Sequence, residues 1–201
     1  MIFPRRTALE AASTIEAVLA PITGKFAAAG DLRMEKSTLS RIEYIVEQCN
    51  HDRLIESLKQ VGWRKLRAGR GPLVFACAGF PKLVICTAHK EPGDLLELNS
   101  TSNFEVLLFL RTGTQIFLRE ILVNIRNCGF QLQTDKGLVR GKALIAWTEA
   151  GIFAACGLPF IAPNERYNFR AQNYPKIHVP LPLPVTFANP APELNLGLEG
   201  P

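Results

Sequence analysis

Half of the fourteen prolines in this chain lie between Pro175 and Pro201, including those of Val179-Pro180-Leu181-Pro182-Leu183-Pro184-Val185. Proline fixes its own φ and has no amide donor, so such a stretch cannot continue a helix and is poorly suited to a central strand. A packed core must therefore be built from the residues before Tyr167. The segment after Tyr167 reads either as a solvated tail or as an extended arm laid on a partner. The apolar side chains of Ile177, Val179, Leu181, Leu183, Val185 and Phe187 favour the arm, because solvated tails seldom carry so many.

With 201 residues, 47% of them hydrophobic and 20% charged, the chain can bury one proper core and a small satellite subdomain. No apolar run reaches membrane-spanning length, so no membrane partner is expected. Arg5 and Arg6 ahead of apolar residues imitate a signal peptide, but Glu10 and Glu16 interrupt the run. Leu9, Ile15, Val18, Leu19 and Ile22 instead suggest one face of an amphipathic helix. The five cysteines (Cys49, Cys77, Cys86, Cys128 and Cys156) are odd in number and form no Cys-x-x-Cys, which reads as buried reduced thiols in a cytoplasmic protein. His51, His89 and His178 show no ligand spacing, so zinc is not expected.

Periodicity and breakers give an α/β order. A first helix runs to about Ala20 and is stopped by Pro21 and Gly24. A short strand, residues 25–29, leads into a charged turn, and residues 42–47 form the next strand. Leu54, Ile55, Leu58 and Val61 mark a helix over 52–61. The apolar runs 73–78 and 82–88, joined by Gly79-Phe80-Pro81, suggest a hairpin. Helices are expected over 103–110 and 115–128, the second ended by Gly129, then a small β element around Lys136-Gly137 and a last helix.

The charged turn Gly30-Asp31-Leu32-Arg33-Met34-Glu35-Lys36, followed by Arg41-Ile42-Glu43-Tyr44-Ile45-Val46, resembles the opening of a nucleotidyltransferase site, Gly-Ser-x-Arg-Arg-x-Lys before a strand carrying Asp-x-Asp or Asp-x-Glu. Phe109-Leu110-Arg111-Thr112-Gly113-Thr114 is similar to the Thr-Gly-Ser segment that contacts the nucleotide sugar in X-family DNA polymerases. The run from Thr148-Glu149-Ala150-Gly151 to Gly157-Leu158-Pro159-Phe160-Ile161-Ala162-Pro163-Asn164-Glu165-Arg166 is similar to the last helix and Gly-Leu-Pro-Tyr-Ile-x-Pro-x-x-Arg ending of the same family. The motifs fall in family order over residues 8–167, with most likeness to the short bacterial and viral forms that lack an N-terminal lyase domain.

The resemblance implies an α/β (α+β) fold: an N-terminal helix and nucleotidyltransferase palm with a mixed β-sheet over 1–110, a thumb-like polymerase-beta subdomain over 111–167, and the Pro-rich arm over 168–201. It places nucleotide or phosphate contacts at Gly30, Arg33, Lys36, Arg111, Thr112 and Gly113. It also implies three carboxylates around two Mg²⁺ ions. On a strand, residues i and i+2 share a face, so an acid-x-acid pair aims two carboxylates at one point. Here the first acid is Arg41 and only Glu43 remains. At a separation of about 4 Å and an effective dielectric of about 20, that guanidinium repels each unit of metal charge by roughly 4 kcal/mol. The third acid falls on Asp94 when counted back from Thr112-Gly113, or on Ile85 when the hairpin is matched, and neither register completes a cage. Asp31 and Met34 also stand where the family carries a phosphate-binding Ser and a second Arg.

Two functions compete on these residues. One is a catalytically inactive relative of the X-family polymerases, a pseudoenzyme without a cofactor, acting as a binding or assembly subunit on nucleic acid or in a large nucleoprotein complex and using the 168–201 arm toward protein partners. The other is an active Mg²⁺-dependent DNA polymerase or nucleotidyltransferase with Glu43 and Asp94 as catalytic acids. In the first, Arg41 forks onto Glu43 and Asp94 and replaces the metal as the tie between palm strands; a rival is Arg41 pointing to solvent. A net charge of +5 and the patch Trp63, Arg64, Lys65, Arg67 and Arg70 suit a phosphate backbone with one stacked base, although such charge runs often only solvate a surface.

Overall fold

The computed structural model describes residues 1–66, 71–89 and 102–169. Arg67, Arg70, Asp94 and all of the expected arm beyond Phe169 lie outside those residues.

The described elements run β1 (Phe3–Pro4), α1 (Arg5–Leu19), β2 (Lys25–Ala29), α2 (Gly30–Arg33), β3 (Thr38–Leu39), β4 (Arg41–Glu47), α3 (His51–Gln60), β5 (Arg64–Lys65), β6 (Leu73–Ala76), β7 (Lys82–Ala88), α4 (Phe104–Arg111), α5 (Gln115–Asn127), β8 (Gln131–Gln133), β9 (Gly137–Arg140), β10 (Ala143–Ala146) and α6 (Glu149–Ala155), with a 3₁₀ turn at Pro163–Glu165. The protein is thus mixed α/β. Side-chain caps start three of the helices: Asn50 accepts from the Arg53 amide, Thr114 from Phe117 and Thr148 from Gly151.

Five strands form one mixed sheet in the order β2-β4-β7-β6-β5. β4 lies parallel to β7, and the other neighbours are antiparallel. Because side chains alternate along a strand, β4 serves two layers. Ile42, Tyr44 and Val46 join Leu83 and Ile85 against α1 and α3, whereas Ile45, Cys86 and Ala88 pack with Phe104 and Leu108 of α4. The Tyr44 hydroxyl donates to Glu16 on α1 at 2.6 Å, and burial together with that carboxylate raises the phenol well above its ordinary range.

The first helix corrects its expected face. Its buried stripe is Ala8, Ala11, Ala12, Ile15 and Leu19, whereas Leu9 is exposed. Leu9 follows Ala8 by about 100° around the axis, so a seam centred on small alanines leaves it outside. Ile15 and Leu19 are fully buried, contributing roughly 1.5–3 kcal/mol each.

A second core begins at Phe109 and gathers Phe117, Ile121, Ile125, Phe130, Leu138, Ile152 and Phe153 between α5, α6 and the three-stranded sheet β10-β9-β8. Phe169 completes it, edge-on to Phe117 with ring centroids 5.2 Å apart. The start of the expected arm therefore belongs to this core. The pairing of β1 with β3 and the helical turn α2 have no sequence period to announce them.

Candidate functional site

β4 presents Arg41, Glu43 and Ile45 toward α4, and the parallel register sets Lys82, Val84 and Cys86 beside them. The residue across from Glu43 is Val84. Ile85 pairs with Tyr44 and is fully buried in the opposite layer, so the hairpin register puts no third-acid position at Ile85 on the Glu43 face.

Glu43 is 2% exposed. One carboxylate oxygen is ion-paired with Nε of Arg41, and the other lies 3.8 Å from Nη1 of Arg111 at the end of α4 without a hydrogen bond of its own. Gly30 closes the site from the far side. It has φ +59°, and a Cβ there would sit 3.1 Å from Cδ of Glu43, so a glycine is what lets the α2 turn approach the carboxylate. The Arg41 side chain is 56% exposed, so it combines the two expected readings: its Nε meets Glu43 while the rest of the guanidinium reaches water. Cys86 lies on the same face; burial raises its thiol, Glu43 adds to the rise, and Arg111 and Arg41 pull the other way. A thiol held protonated in this way is a weak ligand and nucleophile.

A second charged cluster ties the sheet to the C-terminal core. Arg33 on α2 donates to both oxygens of Glu149 at 2.8 and 2.5 Å and to the Thr112 hydroxyl at 3.1 Å. Arg166, which has no exposed surface, donates to Glu149 at 2.8 Å, to the Thr112 carbonyl at 3.0 Å and to the Ile161 carbonyl at 3.0 Å. Its remaining nitrogen, Nη2, has no hydrogen bond, but the guanidinium carbon sits 5.3 Å from the ring centre of Phe153 and 5.4 Å from that of Phe117. Their π faces attract the desolvated cation. Burial by itself would raise Glu149, yet the hydrogen bonds and charges of Arg33 and Arg166 outweigh it and hold the carboxyl below its ordinary value.

These contacts locate the remaining candidates. Lys36 pairs with Asp31 at 2.6 Å, Arg33 and Thr112 belong to the Glu149 cluster, and Arg111 turns toward Glu43. Gly113 is required sterically, because a Cβ there would lie 2.3 Å from the Phe117 ring. Trp63 is 3% exposed and packs near Phe80 at 6.3 Å between ring centres, so it is a core residue and offers no face to a base. Arg64 and Lys65 are exposed on β5, the edge strand, where charge also discourages strand addition.

The donor set around Glu43 does not fit a two-metal centre. Arg41, two residues before Glu43 on the same face, is a guanidinium, the position across the sheet is Val84, and the Glu43 carboxylate already faces two arginines. Among the described residues, no group of three or more His, Cys, Asp or Glu is placed to hold a metal ion. Sequence reasoning gave no role to Glu149, Arg166 or Lys82. The first two sit in the family-like motifs and carried a signal, a Glu at a helix start and an Arg inside an apolar run, whereas Lys82 joins Arg41 only through the strand register. No helix among the described residues is long and apolar enough to cross a membrane. No protein-family model matches the chain, and no curated protein sequence matches it.

Proposed function

We propose that this chain is a catalytically inactive protein of nucleotidyltransferase type that works as a binding subunit, with nucleic acid as the partner its charge favours. The capture of the buried Glu43 carboxylate by Arg41, with Arg111 beside it, carries the reading. A two-metal nucleotidyl transfer needs that carboxylate free and a second one beside it. Removal of a single preorganised charge stabiliser costs ~10²-fold or more in rate. Here an opposite charge replaces one.

Binding needs no such centre. The net charge of +5 and the exposed Arg64 and Lys65 supply a surface for phosphates, and Lys65 and Arg111 line one cavity with His51, His89 and Asn103. Affinity for a duplex without a specific sequence should fall steeply with salt, and the log–log slope should drop by about 0.9 for each phosphate contact removed by Arg64→Ala or Lys65→Ala. Calorimetric titration of Mn²⁺ should give no binding to the unmodified protein. Salt-insensitive or absent binding to both DNA and RNA would remove nucleic acid as the partner, and Mn²⁺ binding that disappears in Glu43→Gln would contradict the inactive site.

A further inference from the structure

We propose that Arg41 and Lys82 form a phosphate site that works without a divalent metal ion and takes the terminal phosphate of a nucleotide, either free or at the end of a nucleic-acid strand. This rests on the reading that Glu43 is held by arginine.

The parallel register makes Arg41 and Lys82 direct neighbours on the same face of the sheet. Adjacent strands are only about 4.8 Å apart, so two cations stand side by side, and like charges so placed destabilise a sheet unless an anion lies between them. Neither neutralises the other. Arg41 uses Nε on Glu43, which fixes the plane of its guanidinium, and its two terminal nitrogens make no hydrogen bond among the described residues. Lys82 is exposed and has no ion pair among the described residues.

Both cations line one groove with Ser40, Phe3, Phe80 and Val84. This supplies two charged donors, a hydroxyl and an apolar wall within one groove. A phosphate monoester, with about −1.5 to −2 charge and three acceptor oxygens, matches the donors. The wall suits the attached nucleoside. Arg41 and Arg111 both stand at Glu43, and Lys82 neighbours Arg41, so three cations accompany one carboxylate here; a dianion balances that excess whereas a metal ion would add to it.

The test is calorimetric titration of the full chain in EDTA with ADP, with a short 5′-phosphorylated DNA strand, and with the same strand lacking the phosphate. Binding of ADP, or of the phosphorylated strand in preference to the bare one, is expected, with no gain on adding Mg²⁺. ADP binding identifies a free nucleotide as the source, and binding of the phosphorylated strand alone identifies a strand end. Arg41→Gln and Lys82→Gln should each weaken it by about tenfold or more, the scale of one charge-assisted hydrogen bond. Lys82→Gln removes no ion pair and should leave the fold intact, while Lys59→Gln on the far helix should change nothing. Equal binding of the two strands together with no binding of ADP, or an affinity that Lys82→Gln leaves unchanged, overturns the site. No binding in EDTA from a protein that also fails to transfer nucleotides overturns this site alone. Binding that appears only with Mg²⁺ and is lost in Glu43→Gln overturns both the site and the inactive reading beneath it.

Discussion

Replacing Glu149 by Gln removes the only carboxylate among the described residues that faces Arg166, a side chain with no exposed surface. The amide keeps one acceptor oxygen but no charge. Arg166 would then rest on two backbone carbonyls and four aromatic rings, and Arg33 would lose its bidentate partner. Breaking a buried pair by removing one partner costs about 3–5 kcal/mol, and the retained oxygen places this case near about 3 kcal/mol. For a domain of this size each kcal/mol moves Tm by about 2–4 °C, so a fall of roughly 6–12 °C is expected in thermal unfolding followed by circular dichroism. The pH dependence fixes the cause. Glu149 lies below its ordinary value of 4.5 in the folded protein, so its contribution is complete above that value and is lost as pH falls through the folded one. The gap between the unmodified protein and Glu149→Gln should therefore be constant at neutral pH and close in acid. Glu149→Leu combined with Arg166→Met should recover much of the loss, since an apolar pair needs no counter-charge. A Tm change below about 2 °C, or a gap that stays open in acid, would refute the role given to this cluster.

Three further outcomes test the packing around the site. Arg41→Ala should cost about 1–3 kcal/mol in urea unfolding, because it leaves the buried Glu43 with only the more distant Arg111. Gly113→Ala should lose about 1–3 kcal/mol, since its methyl meets the Phe117 ring and overpacks the C-terminal core. Phe169→Ala should cost about 3–5 kcal/mol in the same assay, through the cavity it opens against Phe117.

Much of the mixed α/β layout was legible because its elements carry clear periods and stops. Leu54 and Leu58 mark α3, and Gly79-Phe80-Pro81 marks the β6–β7 hairpin. Two-residue strands such as β1 and β3 were not, since they are held by register with each other and have no period of their own. The site divided in the same way. Arg41 and Glu43 are two apart on one strand, so their shared face follows from pleating alone. Their neighbours Val84 and Lys82 follow only from how β7 aligns on β4, and a shift of one residue would have brought Ile85 to the site instead. Trp63 misled because an aromatic beside a basic run has the same sequence appearance whether it stacks on a ligand or, as here, packs near Phe80. Glu149 and Arg166 meet across 17 residues, a separation at which no local pattern declares an ion pair.

The proposal that the site is inactive is tested most directly by Mg²⁺-dependent nucleotide transfer from the purified, unmodified protein, measured by primer extension and by terminal addition beside Glu43→Gln. Capture of Glu43 by Arg41 predicts no incorporation above the metal-free control and no difference between the two proteins. Incorporation that requires Mg²⁺ and disappears in Glu43→Gln would contradict it, showing that the carboxylate leaves its arginines to bind metal.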